Sequence, residues 1–185
     1  MKKFIATFVI VLAAIGASAQ TYLGGGFSFS STDVSGEDKS ITQITLAPEI
    51  GYNLDNKWAI GLGVGYTYAK QESSYNIISV APYVRYTVAK AGIVSFFIDG
   101  EFQFASAKPE EGDSSTGWSL GLKPGVRFDI TKKIFATASV GFLGYQDTAD
   151  FNGEKTFGFG FSGNGMNYFG SDNGTGLKLG LYYNF

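Results

Sequence analysis

The sequence predicts an all-β protein, an eight-stranded antiparallel up-and-down transmembrane β-barrel. Three observations predict it. Large apolar residues recur at every second position in most of eight segments, the connections between segments alternate between short and long, and charges keep off the apolar face. Composition agrees. The 185 residues include 26 glycines, about twice ordinary usage, with 16% aromatic and only 16% charged residues. A disordered chain needs few aromatics and high net charge, and a collagen needs a G-X-Y period; both are excluded. With no Cys and no His, disulfide scaffolds, Cys/His zinc sites and any triad or general base built on His are excluded too.

Residues 1–19 read as a secretory signal peptide. Lys2 and Lys3 precede an apolar run from Phe4 to Ile15, and Gly16-Ala17-Ser18-Ala19 supplies an A-x-A cleavage site. The run is too short to span a bilayer, and no later stretch of about 18 apolar residues follows. The alternative is an uncleaved anchor or a buried helix. Cleavage would start the mature chain at Gln20 and leave residues 20–185 as a single barrel domain. Lys+Arg then falls from 14 to 12 against 16 Asp+Glu, a net of −4.

The strands follow in order. Tyr22–Ser31 is Gly-rich and its phase is not set by pattern. Ile44–Tyr52 alternates Ile44, Leu46, Pro48, Ile50 and Tyr52 with smaller or polar residues. In Trp58–Tyr68 every even position is large and every odd one is Ala, Gly or Thr, a split that a strand places on two faces and a helix would smear. Ile78–Val88, Val94–Phe104 and Trp118–Asp129 repeat the pattern. Ile134–Tyr145 is again Gly-rich and uncertain in phase. Leu177–Phe185 closes the set. The segments at Ala47, Ala81 and Lys123 share [AK]-P-x-[IV]-[GR]-[YF] on strands running the same way, by duplication or by convergence. Prolines inside a closed sheet predict local bulges there.

Turns near Asp55–Lys57, Lys90–Gly92 and Thr131–Lys133 are short, whereas Thr32–Ser40, Lys70–Asn76, Ala107–Thr116 and Gln146–Asn173 are long and polar. Both termini then lie at the short-turn, periplasmic end. The long loops hold eleven acids and four bases, and the short turns carry a net of +3. The inward face carries eight charges in balance: Glu49, Asp99, Glu101 and Asp129 against Arg85, Lys123, Arg127 and Lys178. Buried charges are costly alone and tolerable when matched, so this set predicts an ionic network in the lumen. Aromatic girdles are expected at both ends, with Tyr52, Trp58, Tyr86, Phe128, Tyr183 and Phe185 near the short turns and Phe27, Phe29, Tyr66, Tyr68, Phe102, Phe104 and Trp118 near the long loops.

A secreted soluble barrel of the lipocalin kind is the rival architecture, and volume argues against it. The interior of an eight-stranded barrel is only just wide enough for side chains to fill. The bulky face therefore suits the convex side, and the face rich in Gly, Ala and Ser suits the concave one.

The eight-strand pattern, Ala81-Pro82-Tyr83-Val84-Arg85-Tyr86, and the ending Leu177-Lys178-Leu179-Gly180-Leu181-Tyr182-Tyr183-Asn184-Phe185 together resemble the small outer-membrane β-barrel ("porin family") proteins, which include the OmpA transmembrane domain and OmpX. The resemblance covers residues 21–185. It implies an outer-membrane address, outer-membrane lipid and lipopolysaccharide as surroundings, and recognition by the barrel-insertion machinery. In that reading Leu177, Leu179, Leu181, Tyr183 and Phe185 form the assembly signal. Members of the family differ in task, so the resemblance carries fold and address further than function.

Two functions remain open from sequence. One is a structural or surface-interaction barrel with a plugged, charged lumen. The other is a narrow pore or transporter for small solutes or a hydrophobic ligand, although wide aqueous channels belong to barrels of about 16 strands or more. Catalysis is not expected: the His-assisted Ser of related lipid hydrolases is missing, and Asp99 and Glu101 have lumen cations for company. No cofactor, metal or nucleic acid is implied, and the chain is expected to be a monomer. Phe157, Phe159 and Phe161 alternate with glycine within the longest loop, where they either extend the sheet or cover the mouth. An exposed row of this kind is a candidate surface contact.

Overall fold

A computed structural model describes residues 20–33, 40–70, 74–109, 114–149, 155–162 and 177–185, and every element in it is a strand. The proposed signal peptide lies outside the described residues. The strands are β1 (Thr21–Asp33), β2 (Ser40–Asn53), β3 (Trp58–Lys70), β4 (Ser74–Ala91), β5 (Val94–Pro109), β6 (Ser115–Asp129), β7 (Ile134–Val140), β8 (Phe142–Ala149), β9 (Lys155–Ser162) and β10 (Leu177–Asn184). Neighbours pair antiparallel from β1 to β6. β6 then pairs with both β7 and β8, and β10 pairs with β7 on one edge and β1 on the other. The result is a closed eight-stave barrel.

Its last two staves are each built in two pieces. β7 and β8 are one stave interrupted at Gly141, whose φ of 74° is a conformation that favours glycine. β9 pairs with β8, with Ser162 opposite Phe142, and β10 pairs with β7, with Leu177 opposite Val140. The eighth stave therefore holds residues 155–162 and 177–184. The span read from sequence as one long loop, 146–173, contains the end of β8 and all of β9. The alternation of Phe and Gly at 157–161 is a strand pattern, and it extends the sheet. Asp147, assigned to that loop, lies instead on β8 opposite Trp118.

Each short turn is closed by a different device. In the first, Asp55 Oδ1 accepts hydrogen bonds from the backbone N–H groups of Lys57 at 2.6 Å and Trp58 at 2.8 Å. In the second, Gly92 adopts φ 61°. In the third, Thr131 Oγ1 accepts from the N–H groups of Ile134 at 2.9 Å and Lys133 at 3.1 Å. These side-chain caps are what Asp and Thr offer a tight turn.

The expected proline bulges are largely absent. Pro82 pairs in register with Leu62, Pro48 with Gly25, and Pro124 with Ile98. Beside Pro48 and Pro82 the second ladder skips two residues and resumes without a shift. A missing N–H removes a bond without requiring an inserted residue, and all three prolines point outward. The one-residue shifts occur elsewhere, between Thr87 and Ala89 on β4 and across Gly141.

The convex face is as expected. Ile60, Leu62, Val64, Val80, Val84, Ile98 and Leu120 are exposed on it. Trp58 lies against Tyr86 with ring centroids 4.6 Å apart, and Tyr183 against Phe185 at 5.3 Å, at the short-turn end. Phe102 stacks on Trp118 at 6.3 Å toward the long loops.

The concave face differs from the reading of small and ionised residues alone. Among the described residues five rings are buried there: Tyr22, Tyr83, Phe97, Phe135 and Tyr182. Four of them lie directly across a ladder from a glycine: Tyr22 from Gly51, Tyr83 from Gly61, Phe97 from Gly125 and Tyr182 from Gly24. A Cβ at Gly51 would sit 2.1 Å from Tyr22 Cζ, and one at Gly125 would sit 2.3 Å from Phe97 Cζ. The inward glycines are spaces that these rings occupy.

Two measurements check this account. Gly51→Val drives a branched side chain into the Tyr22 ring and is expected to destabilise the barrel by about 1–3 kcal/mol or more. Gly100→Ala, whose new Cβ meets nothing closer than 3.8 Å, should shift stability by less than about 1 kcal/mol. Urea unfolding in detergent, followed by Trp fluorescence, separates the two. Independently, the backbone bonds from Lys57 and Trp58 hold the Asp55 carboxyl below the 3.8 ordinary for aspartate. Its contribution is present above that ordinary value and is lost as pH falls through the lower folded one. An NMR titration of Asp55 should show the depressed midpoint, and Asn at this position should remove the acid-dependent part.

Candidate functional site: the lumen network

The eight inward charges meet in the lumen as four ion pairs. Arg85 on β4 stands directly opposite Asp99 on β5, and its Nε and Nη2 donate to the two carboxylate oxygens at 2.7 and 2.8 Å. Such bidentate, charge-assisted geometry is the strong form of the interaction. Lys178 on β10 donates to Glu49 Oε1 on β2, and Lys123 on β6 to Glu101 on β5. Arg127 Nε donates to Asp129 Oδ1 at 2.7 Å, two residues along the same strand face.

Asp99 lies opposite Arg85 on one ladder and Lys123 on the other, and Lys123 reaches diagonally to Glu101. The network thereby links β4, β5 and β6. Glu49, only 5% exposed, takes Lys178 on one oxygen and the Tyr182 hydroxyl on the other at 2.6 Å, which ties β2 to β10 across the closing seam.

The rings complete the layer. The Tyr22 and Tyr83 hydroxyls share a 2.8 Å hydrogen bond across the lumen. The Arg85 guanidinium carbon lies 3.9 Å from the Phe97 ring centroid, and that of Arg127 lies 3.6 Å from Phe135. Phe135 stacks on Tyr182 at 4.9 Å, and both meet Tyr22 edge-on at 5.5 and 5.9 Å. Guanidinium groups over ring faces are held by the ring quadrupole as well as by their carboxylates.

The site is thus richer than the eight charges singled out from sequence. Tyr22 and Phe135 lie on the two strands whose phase the pattern left unset. Tyr83, Phe97 and Tyr182 had the inward parity but stood out as nothing more than exceptions to a small-residue face. Their signal was the glycine opposite each, which becomes readable once the register is known.

The other singled-out residues fall as follows. Leu179, Leu181, Tyr183 and Phe185 lie exposed on the convex side of β10, with the Phe185 N–H donating to Thr21 O at 3.0 Å. Leu177 belongs to the same alternate set, and its side chain is outside the described residues. By register Phe159 stands opposite Tyr145 and Phe161 opposite Leu143, both convex-face residues, with Phe157 opposite Asp147. The side chains of the Phe row are outside the described residues. Among the described residues no three His, Cys, Asp or Glu converge as metal ligands.

A double-mutant cycle tests the central pair. Removing one member of a buried pair strands the other, so Arg85→Met is expected to cost about 3–5 kcal/mol. Adding Asp99→Leu removes the stranded carboxylate and should recover most of that loss. Equal and additive losses from the two substitutions would show that the pair is not coupled.

Comparison with known proteins agrees with this architecture. No curated protein matches the chain by sequence. Among solved structures it is similar to the crystal structure of Neisserial surface protein A (NspA), with a TM-score of 0.57 and 17% identity over 91% of this chain and 98% of that one. At that identity the likeness speaks for the fold. Residues 4–185 match the model described as "Outer membrane protein beta-barrel domain". The chain belongs to that family, and it is a small outer-membrane β-barrel protein.

Proposed function

We propose that this barrel is a structural and surface-displaying component of the outer membrane whose lumen is shut to solutes. The observation that carries the proposal is the layer of four ion pairs and five rings across the short-turn half of the barrel. A solute crossing there would have to separate paired charges in a space already occupied by side chains. In this reading the short turns face the periplasm and the acidic long loops face outward. Residues 1–19 are removed on export, and the alternating β10 sequence ending at Phe185 serves insertion. The lumen acids are engaged with cations, which argues for a structural role over an acid–base one.

Planar-bilayer recording tests the shut lumen. The wild-type barrel is expected to give no steady conductance steps, whereas Tyr22→Ala/Tyr83→Ala, which removes two rings and their shared hydrogen bond, should give small ones. Steady conductance from the wild-type barrel would favour a pore instead.

A further inference from the structure

We propose that the short-turn rim holds the phosphate headgroup of an anionic phospholipid, in the groove between the turn at Gly92 and the turn at Thr131. The groove has a volume of about 500 Å³ and is lined by Lys90, Ile93, Arg127, Asp129, Ile130 and Lys132, together with the two turn residues. Its charge is unbalanced. One carboxylate, Asp129, serves both Arg127 at 2.7 Å and Lys90 at 3.3 Å. The second distance is long for a charge-assisted bond, and the Lys90 side chain is 63% exposed. Lys132 makes no ion pair among the described residues. Two exposed cations, Lys90 and Lys132, thus border a concave surface whose single acid, Asp129, is already engaged by Arg127 of the lumen network.

The groove is also partly apolar, which selects a lipid over a free anion. Ile93 is 65% exposed and Ile130 is 60% exposed, both just beyond the ends of their strands. Isoleucines at this height, next to the girdle formed by Trp58, Tyr86 and Phe128, meet the glycerol and first methylenes of a lipid, while the cations meet its phosphate. Gly92 leaves the space above its turn open, since a Cβ there would meet no atom within 4 Å. Basic pockets at a membrane surface select anionic headgroups by the same electrostatics. The inference is independent of whether the lumen conducts, because the groove lies at the rim.

Native mass spectrometry of the purified barrel in detergent tests it, with phosphatidylglycerol, phosphatidylethanolamine or inorganic phosphate added in turn. The wild type is expected to retain phosphatidylglycerol in preference to phosphatidylethanolamine. Lys90→Gln/Lys132→Gln should lower phosphatidylglycerol binding about tenfold and leave phosphatidylethanolamine binding unchanged. Lys132→Gln alone, which disturbs no ion pair, should lower it about fivefold, and heat-shifted gel mobility reports folding of both. Ile93→Ser/Ile130→Ser should weaken lipid retention without altering phosphate binding. Undiminished phosphatidylglycerol retention in Lys132→Gln, or no preference between the two lipids, overturns the proposal. Displacement of the lipid by millimolar phosphate would reassign the groove to a free anion.

Discussion

The interior volume of a closed eight-stave cylinder is the constraint on which the rest of the structure depends. The lumen has room for most of its rings only because the position across a ladder carries no side chain. That is why Tyr22, Tyr83, Phe97 and Tyr182 each lie across a ladder from a glycine. Filling the space is favourable because the rings bury apolar area and exclude water from the ion pairs beside them. Excluding water raises the cost of any unmatched charge. Ring packing and charge balance are therefore a single requirement. The Arg85 guanidinium, between the Asp99 carboxylate and the Phe97 face, meets both halves of it with one side chain.

The two halves of the barrel solve the volume problem differently. Toward the short turns, rings and ion pairs fill the space. Toward the long loops, small residues such as Ala105, Ala107, Gly117 and Ser119 line the inner face and are themselves buried, and Thr45 and Thr67 share a 3.0 Å hydroxyl contact across a ladder. The irregularities do not follow this division: the shift between Thr87 and Ala89 lies toward the short turns, and Gly141 interrupts its stave level with Lys123 and Lys178.

Much of this was legible in the sequence, for physical reasons that also mark where legibility stops. Alternation is local, so Trp58–Tyr68 declared its two faces without reference to any partner strand. Lumen parity is equally local, and it placed Glu49, Asp99, Glu101 and Asp129 on the same side as Arg85, Lys123, Arg127 and Lys178. Partner choice is not local. Nothing within Val94–Phe104 says that Asp99 meets Arg85 rather than Arg127. The pairing of Phe97 with Gly125 joins positions on different strands, so the glycine looked like filler and the ring like an exception. In the stretch 146–173 the Phe-Gly alternation of residues 157–161 is visible, but alternation alone does not say whether it pairs into the sheet or lies over the mouth, because that depends on β8 as its partner.

Hydrophobic alternation leaves one ambiguity, which the tight turns and the lumen resolve together. A slip of one residue between neighbouring strands turns every apolar side chain inward and is forbidden outright, but a slip of two residues preserves the alternation entirely. In a membrane barrel the convex face offers little resistance to such a slip, because one aliphatic residue against lipid is much like another. The lumen does resist it. Sliding β5 by two residues against β4 would set Arg85 opposite Phe97 or Glu101 and leave Asp99 opposite Thr87 or Tyr83, while the Phe97 ring would lose Gly125 from across the other ladder unless β6 moved as well. Buried ion pairs contribute little net stability over apolar replacements of the same size, so their value here lies in register. Ring–glycine pairs act in the same way, since the Tyr22 ring fits over Gly51 and would meet the Glu49 or Asn53 side chain at either neighbouring inward position. Alternation fixes the register to within two residues, and the tight turns and the lumen network remove the remaining freedom, around to the Glu49, Lys178 and Tyr182 contacts that close the cylinder.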